Sequence, residues 1–241
     1  MQKKAQVTPF ILLGIIIVIV AAAAIYFFGD RLTQQPETPL DQSQLLPLQK
    51  QIEGCILASA EKTISILQKN AFYLQATPYT MQFGGADINY LLYPENSPNK
   101  LNALEAVQDA ISQQLAADMK SCKLDQLKLK FKADKDAIAA STFIAENKII
   151  LTLNYPITVS KGSTQAELKE FSVSKESDLG VLYNTIHDVI EGELSGEFDQ
   201  YNYMLEHPSS IIYKENLDFN TALFFITSGK EQDYILFAIK K

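Results

Sequence analysis

Residues 148–173 read KIILTLNYPITVSKGSTQAELKEFSV. The first half, 148–159, is dense in β-branched residues, and Lys161-Gly162-Ser163 supplies a hairpin turn into a second extended run at 166–173. Strands joined by a tight turn are therefore expected at the centre of the chain. Upstream, 127–133 alternates apolar residues with Lys128, Lys130 and Lys132, and 139–145 forms a less regular strand. Downstream, 221–227, a turn around Ser228-Gly229-Lys230 and 234–239 form another hairpin. Helical periodicity flanks these runs. Leu48, Ile52, Cys55, Ile56, Ser59, Ala60, Ile64 and Leu67 recur every three or four residues, as do Leu101, Leu104, Val107, Ile111, Leu115, Met119 and Cys122. Ser97-Pro98 offers an N-cap and first-turn proline for the second of these. A third helix from about Asp178 carries Leu179, Leu182, Tyr183, Ile186, Val189, Ile190 and Leu194. Helices and antiparallel hairpins in separate runs predict an α+β domain over 48–241, with about three helices packed on an antiparallel sheet. The 76–97 stretch, with Pro78, Gly84-Gly85 and Pro94 among Tyr79, Phe83, Tyr90 and Tyr93, reads as a long loop. It is either packed by those aromatics or a binding loop.

The 241 residues are 47% hydrophobic, but the apolar residues are not evenly spread. Over 10–28 only Gly14 falls outside the hydrophobic set, and 19 residues of helix span roughly 28 Å, the thickness of a bilayer's hydrocarbon core. A transmembrane anchor is expected there. Lys3 and Lys4 make 1–9 a cytoplasmic leader by the positive-inside rule, since Asp30 and Arg31 cancel on the other side. Pro36, Pro39 and Pro47 stiffen a linker at 29–47. The C-terminal domain is then outside a single-pass membrane protein. With 21 basic against 28 acidic side chains, the chain lacks the basic excess of a nucleic-acid binder.

The opening Lys3-Lys4-Ala5-Gln6-Val7-Thr8-Pro9-Phe10 resembles the class III signal of archaeal type IV pilin-like proteins, in which a short basic leader is cut before a Gln and the apolar stretch is kept. That resemblance implies cleavage between Ala5 and Gln6 and a place in a filament. The fifth residue after the cut is Phe10, where pilins carry the Glu that registers one subunit on the next. The chain as a whole is similar to single-anchor archaeal surface proteins with paired cysteines.

Cys55 and Cys122 end up on the buried stripes of the first two outer helices, so antiparallel packing brings them within reach of a disulfide, which an oxidising compartment permits. No Cys-x-x-Cys redox motif occurs. Ser59-Ala60-Glu61-Lys62, Ser97-Pro98-Asn99 and Lys161-Gly162-Ser163 follow the chain order of the penicillin-binding-protein signatures, but Ser59 lies deep in an amphipathic helix instead of opening one. Glu191, Glu193, Glu197 and Asp199 lack the Asp/Asn-Gly spacing of a calcium loop and read as a solvated helix end. His187 and His207 are too isolated for zinc, and no nucleotide-binding glycine loop occurs. No cofactor, metal or catalytic residue is expected. The reading is a non-enzymatic, membrane-anchored extracytoplasmic interaction or envelope structural protein, a pilin-like subunit being one form of it, with protein partners or self-assembly. An accessory subunit of a pilus-assembly or secretion complex is the alternative, and an anchored Ser-x-x-Lys hydrolase a more remote one.

Overall fold

The computed structural model describes residues 42–94, 99–124, 130–229 and 233–241. The central hairpin forms as the sequence implies, from β5 (Lys148–Lys161) and β6 (Thr164–Glu176) paired antiparallel along their length. Ile149, Leu151, Leu153, Tyr155, Ile157 and Val159 alternate into the core, so one face of β5 is buried, and the other is mostly polar apart from Ile150 and Pro156. On the second edge of β5, β4 (Ala139–Ile144) pairs with its first half and β3 (Lys130–Ala133) with its second. Pro156, which has no amide to donate, sits where β3 and β4 meet and where the β6 register shifts, the kind of site to which a strand proline is confined.

A second sheet has the order β1-β2-β9-β8-β7. β8 (Thr221–Thr227) and β9 (Tyr234–Lys240) form the expected C-terminal hairpin, and β7 (Ile211–Asn216) adds to β8. The remaining two strands come from the stretch read as a loop. There β1 (Thr80–Phe83) and β2 (Ala86–Leu92) pair around Gly84-Gly85, whose φ angles of 58° and 83° suit the left-handed geometry of a tight hairpin turn. β2 then joins β9 in parallel.

Three helices carry apolar stripes into the space between the sheets. α1 (Gln42–Lys69) lies against β6 of one sheet and β9 of the other, and buries Leu48, Ile52, Ile56, Ala60, Ile64 and Leu67. It starts before Leu48 and passes through Pro47, so the helix takes in part of the expected linker. α2 (Leu104–Met119) packs on α1 and β4. It does not start at the Ser97-Pro98 signal, because residues 99 and 100 pair with the end of β2 instead: Leu92 bridges Asn99, and the Lys100 amide donates to the Leu91 carbonyl at 2.8 Å. α3 (Leu179–Ser195) bridges β5 and β8, and a short α4 (Gln200–Glu206) follows. Residues from both sheets and all three long helices share one core.

The expectation of a membrane helix followed by about three helices on one antiparallel sheet therefore needs correcting. The described residues form four helices and nine strands in two sheets, one of them mixed through the parallel β2–β9 pair. Among the described residues no helix is long and apolar enough to cross a membrane, and α1, the longest, is amphipathic. The leader 1–9, the Ala5–Gln6 junction and the apolar run 10–28 lie outside the described residues. The second sheet reaches five strands because hairpin β1–β2 adds to the C-terminal strands from far along the chain.

Gly180 fixes how α3 meets the β4–β5 turn. A Cβ there would meet the carbonyl of Ala145, with Ala145 C at 2.8 Å and Glu146 Cα at 3.0 Å, all of it backbone that cannot swing aside. Gly180→Ala is predicted to cost roughly 1–3 kcal/mol and to lower the thermal midpoint by several degrees, whereas Gly54→Ala, which meets nothing within 4 Å, should leave it unchanged or raise it. Thermal denaturation followed by circular dichroism compares the two.

Candidate interaction face

Alternation along the second sheet separates its two faces. Phe224 stands opposite Phe237, Ile226 opposite Ile235 and Ala222 opposite Ile239, and all of these point into the shared core. The intervening residues point the other way. There Ile88, Leu223 and Ala238 form a separate small cluster with Met81, Tyr90, Leu217 and Leu236, every one a strand or turn residue. Among the described residues no helix residue joins it, so none of the described helices forms a second layer on this face.

The uncovered face is rich in aromatic rings. Tyr213 on β7 lies 6.0 Å from Phe225 on β8, which stacks at 5.2 Å on Tyr234 of β9. Beyond Leu236 and Ala238, Tyr90 reaches Tyr93 at 5.3 Å and Tyr93 reaches Tyr79 at 5.1 Å. Lys240 sits over the Tyr93 ring at 5.3 Å and Lys100 over Tyr79 at 4.9 Å, cation–π contacts that hold positive charge at this end of the face. Tyr213 and Tyr234 are 62% and 50% exposed, unusual for rings on a sheet.

At the β7–β8 tip, Phe219 is fully exposed. The turn beneath it is rigid, because Asp218 Oδ1 accepts the amides of Asn220 and Thr221 at 2.7 Å and the Leu217 amide donates to the Thr221 carbonyl. The Asn220 amide, joined by Thr221 and by the charge of Lys240, holds the Asp218 carboxyl below its ordinary range. Three of the loop aromatics singled out in the sequence, Tyr79, Tyr90 and Tyr93, belong to this face. Phe225, Tyr213 and Tyr234 become part of it only once the strand register is known.

The other sequence candidates take separate places. Cys55 and Cys122 are disulfide-bonded, with Cα atoms 6.1 Å apart, and join α1 to the end of α2. Ser59 is buried and donates to Asp118 Oδ2 at 2.9 Å, while Lys161 ends β5 at the hairpin turn and Ser97 lies outside the described residues. The acidic group also disperses. Asp199 caps α4 through the amides of Tyr201 and Asn202, Glu191 accepts from Asn99, and Glu193 turns inward. No cluster of three or more His, Cys, Asp and Glu able to hold a metal occurs among the described residues. His187 lies beside Asp188 at 3.6 Å, and His207 stacks on Tyr203 at 4.3 Å. Burial, helped by Asp188, pushes the Tyr203 hydroxyl up to about 12, so it stays protonated and donates to Asp188 Oδ2. Lys130 and Lys132 are exposed on β3, and Lys128 lies outside the described residues.

No family model matches the chain, and no curated protein or solved structure matches it.

Glu193 ties the second sheet to the helical layer from its inner side. Its side chain is 4% exposed and is held by Lys214 of β7 and by Lys241 at 2.8 Å. Burial pushes its carboxyl up, but the hydrogen bonds and charges of the two lysines outweigh that and hold it below the ordinary value of 4.5. A carboxyl with a lower pKa folded than unfolded contributes stability above the unfolded value and loses it as pH falls through the folded one. Glu193→Gln is therefore predicted to cost about 1–2 kcal/mol at pH 7, allowing for the partly exposed lysines, and much less at pH 3. Urea unfolding across that range should show the two proteins converging on the acid side.

Proposed function

We propose that this is a non-enzymatic interaction or envelope structural protein whose domain is presented outside the cell, with the apolar run at 10–28 as its tether to the membrane. The observation that carries the reading is the aromatic sheet face, over which no layer lies among the described residues. Tyrosines lose little conformational freedom on binding and dominate the energetics of many protein interfaces, and a monomer gains nothing by leaving several of them in water. The disulfide supports the extracytoplasmic side, since such bonds persist in oxidising compartments. The pilin-like form rests on the Lys3–Phe10 opening, and its partner would be another copy of the chain.

Tyr213 and Phe219 are exposed enough to change without disturbing the core. Replacing both with Ser should leave the thermal midpoint within a few degrees. Cross-linking in native membranes should then fall about tenfold or more relative to wild type, since two interface aromatics are commonly worth at least that. Lys130→Ala, on the outer side of the other sheet, serves as the control and should cross-link normally. Wild-type protein recovered only as monomer, or adducts unchanged in the double variant, would overturn the assignment.

A further inference from the structure

We propose that the wedge between β2 and β9 binds an extended peptide, which enters as an added strand. This deepens the interaction reading above and rests on it. β2 and β9 are parallel and seven residues long, yet they pair only at Tyr90 with Ala238 and Leu92 with Ile239. Toward their starts they are held apart, because β1 fixes residues 86–89 from one side and β8 pairs with the whole of β9 from the other.

Among the described residues, no strand pairs with the main chain facing the wedge on either side. The Tyr90 amide donates to the Tyr79 carbonyl, on the β1 side, at 2.9 Å. Strand alternation then turns the amide and carbonyl of Asp87 toward β9, where no residue of β9 is in register with it. Ala238, the partner of Tyr90, faces β2, and two residues earlier Leu236 presents its own amide and carbonyl to the same gap. Two half-edges facing one another are a template for one more strand.

Between them is a cavity of about 380 Å³, bordered by Asp87, Ile88, Tyr234 and Leu236 and floored by Gln68 and Lys69 of α1. Gln68 is fixed by its bond to Asp233 Oδ1 at 2.7 Å, so the floor is preformed. Residues 86–89 span about 13 Å at strand rise, enough for about four residues of a guest. Main-chain donors and acceptors at strand spacing are matched by another main chain better than by a compact molecule. Ile88 and Leu236 offer apolar contacts to alternate side chains, and the opposite charges of Lys69 and Asp87 complement a segment without net charge.

The test is residue-resolved hydrogen exchange on the full chain in detergent micelles. One probe is the blocked hexapeptide acetyl-Thr-Val-Thr-Val-Thr-Val-amide, and the other is the same peptide N-methylated at alternate residues. Without peptide, the Asp87 and Leu236 amides should exchange about a hundredfold faster than those of Phe224 and Phe237. Saturating hexapeptide should slow them about tenfold or more, and the N-methylated form should not. Asp87 and Leu236 as protected as Phe224 in the free protein, no slowing at millimolar hexapeptide, or equal slowing by both peptides would each overturn the proposal. Loss of cross-linking in the Tyr213/Phe219 variant alongside wedge amides that saturating hexapeptide does not slow would remove the peptide site and leave the interaction reading standing.

Discussion

The packing of α1 against three neighbours at once is the constraint on which the rest of the structure depends. Its stripe from Leu48 to Leu67 is almost wholly buried, because β6, β9 and α2 all lie against it. A single stripe serving two sheets leaves no freedom to place one without the other. The bond between Cys55 and Cys122 makes the α1–α2 part of that arrangement covalent, and α2 in turn positions β4. Closing 67 residues removes unfolded-state entropy worth about 4 kcal/mol in the chain-entropy model, comparable with the net stability of many domains.

This arrangement uses up the inner faces of both sheets and leaves their outer faces unsupported, with different consequences for each. On the outer side of β5 and β6 the exposed positions carry Thr, Ser, Lys and Glu, which water satisfies. On the outer side of the second sheet the exposed positions include Tyr213 and Tyr234, with Phe225 and Leu236 half-buried beside them, which water satisfies less well; among the described residues the first sheet exposes one such ring, Phe143 of β4. The difference is chemical and not topological, and it is the ground on which that face is proposed to take a partner. Parallel pairing of β2 with β9 adds to this, because strands fixed from outside and joined only at their ends necessarily open a wedge.

Local signals in the sequence reached a good part of this fold. The hairpins β5–β6 and β8–β9, the α3 stripe and the reach of Cys55 to Cys122 all follow from period and turn chemistry within short windows. Hairpin β1–β2 was less visible because aromatic residues lie on an exposed face and proline flanks it, so apolar alternation is blurred. Only Gly84-Gly85 marked it, and that pair also suits a loop. Ser97-Pro98 misdirected the start of α2, since a good local cap is outweighed when the following residues complete a sheet edge. The candidate face was half legible: Tyr79, Tyr90 and Tyr93 stood out by their clustering. Tyr213, Phe225 and Tyr234 meet only through pairing of β7, β8 and β9, which no local pattern encodes.

The clamp between α1 and α2 and the proposed placement of the domain outside the cell make the same demand on two sulfur atoms. Blocking free thiols at the moment of cell lysis, then reducing and labelling with a second reagent, reads their state in the intact protein by mass. The account predicts that Cys55 and Cys122 carry none of the first reagent and both carry the second. Two cysteines labelled before reduction would contradict it.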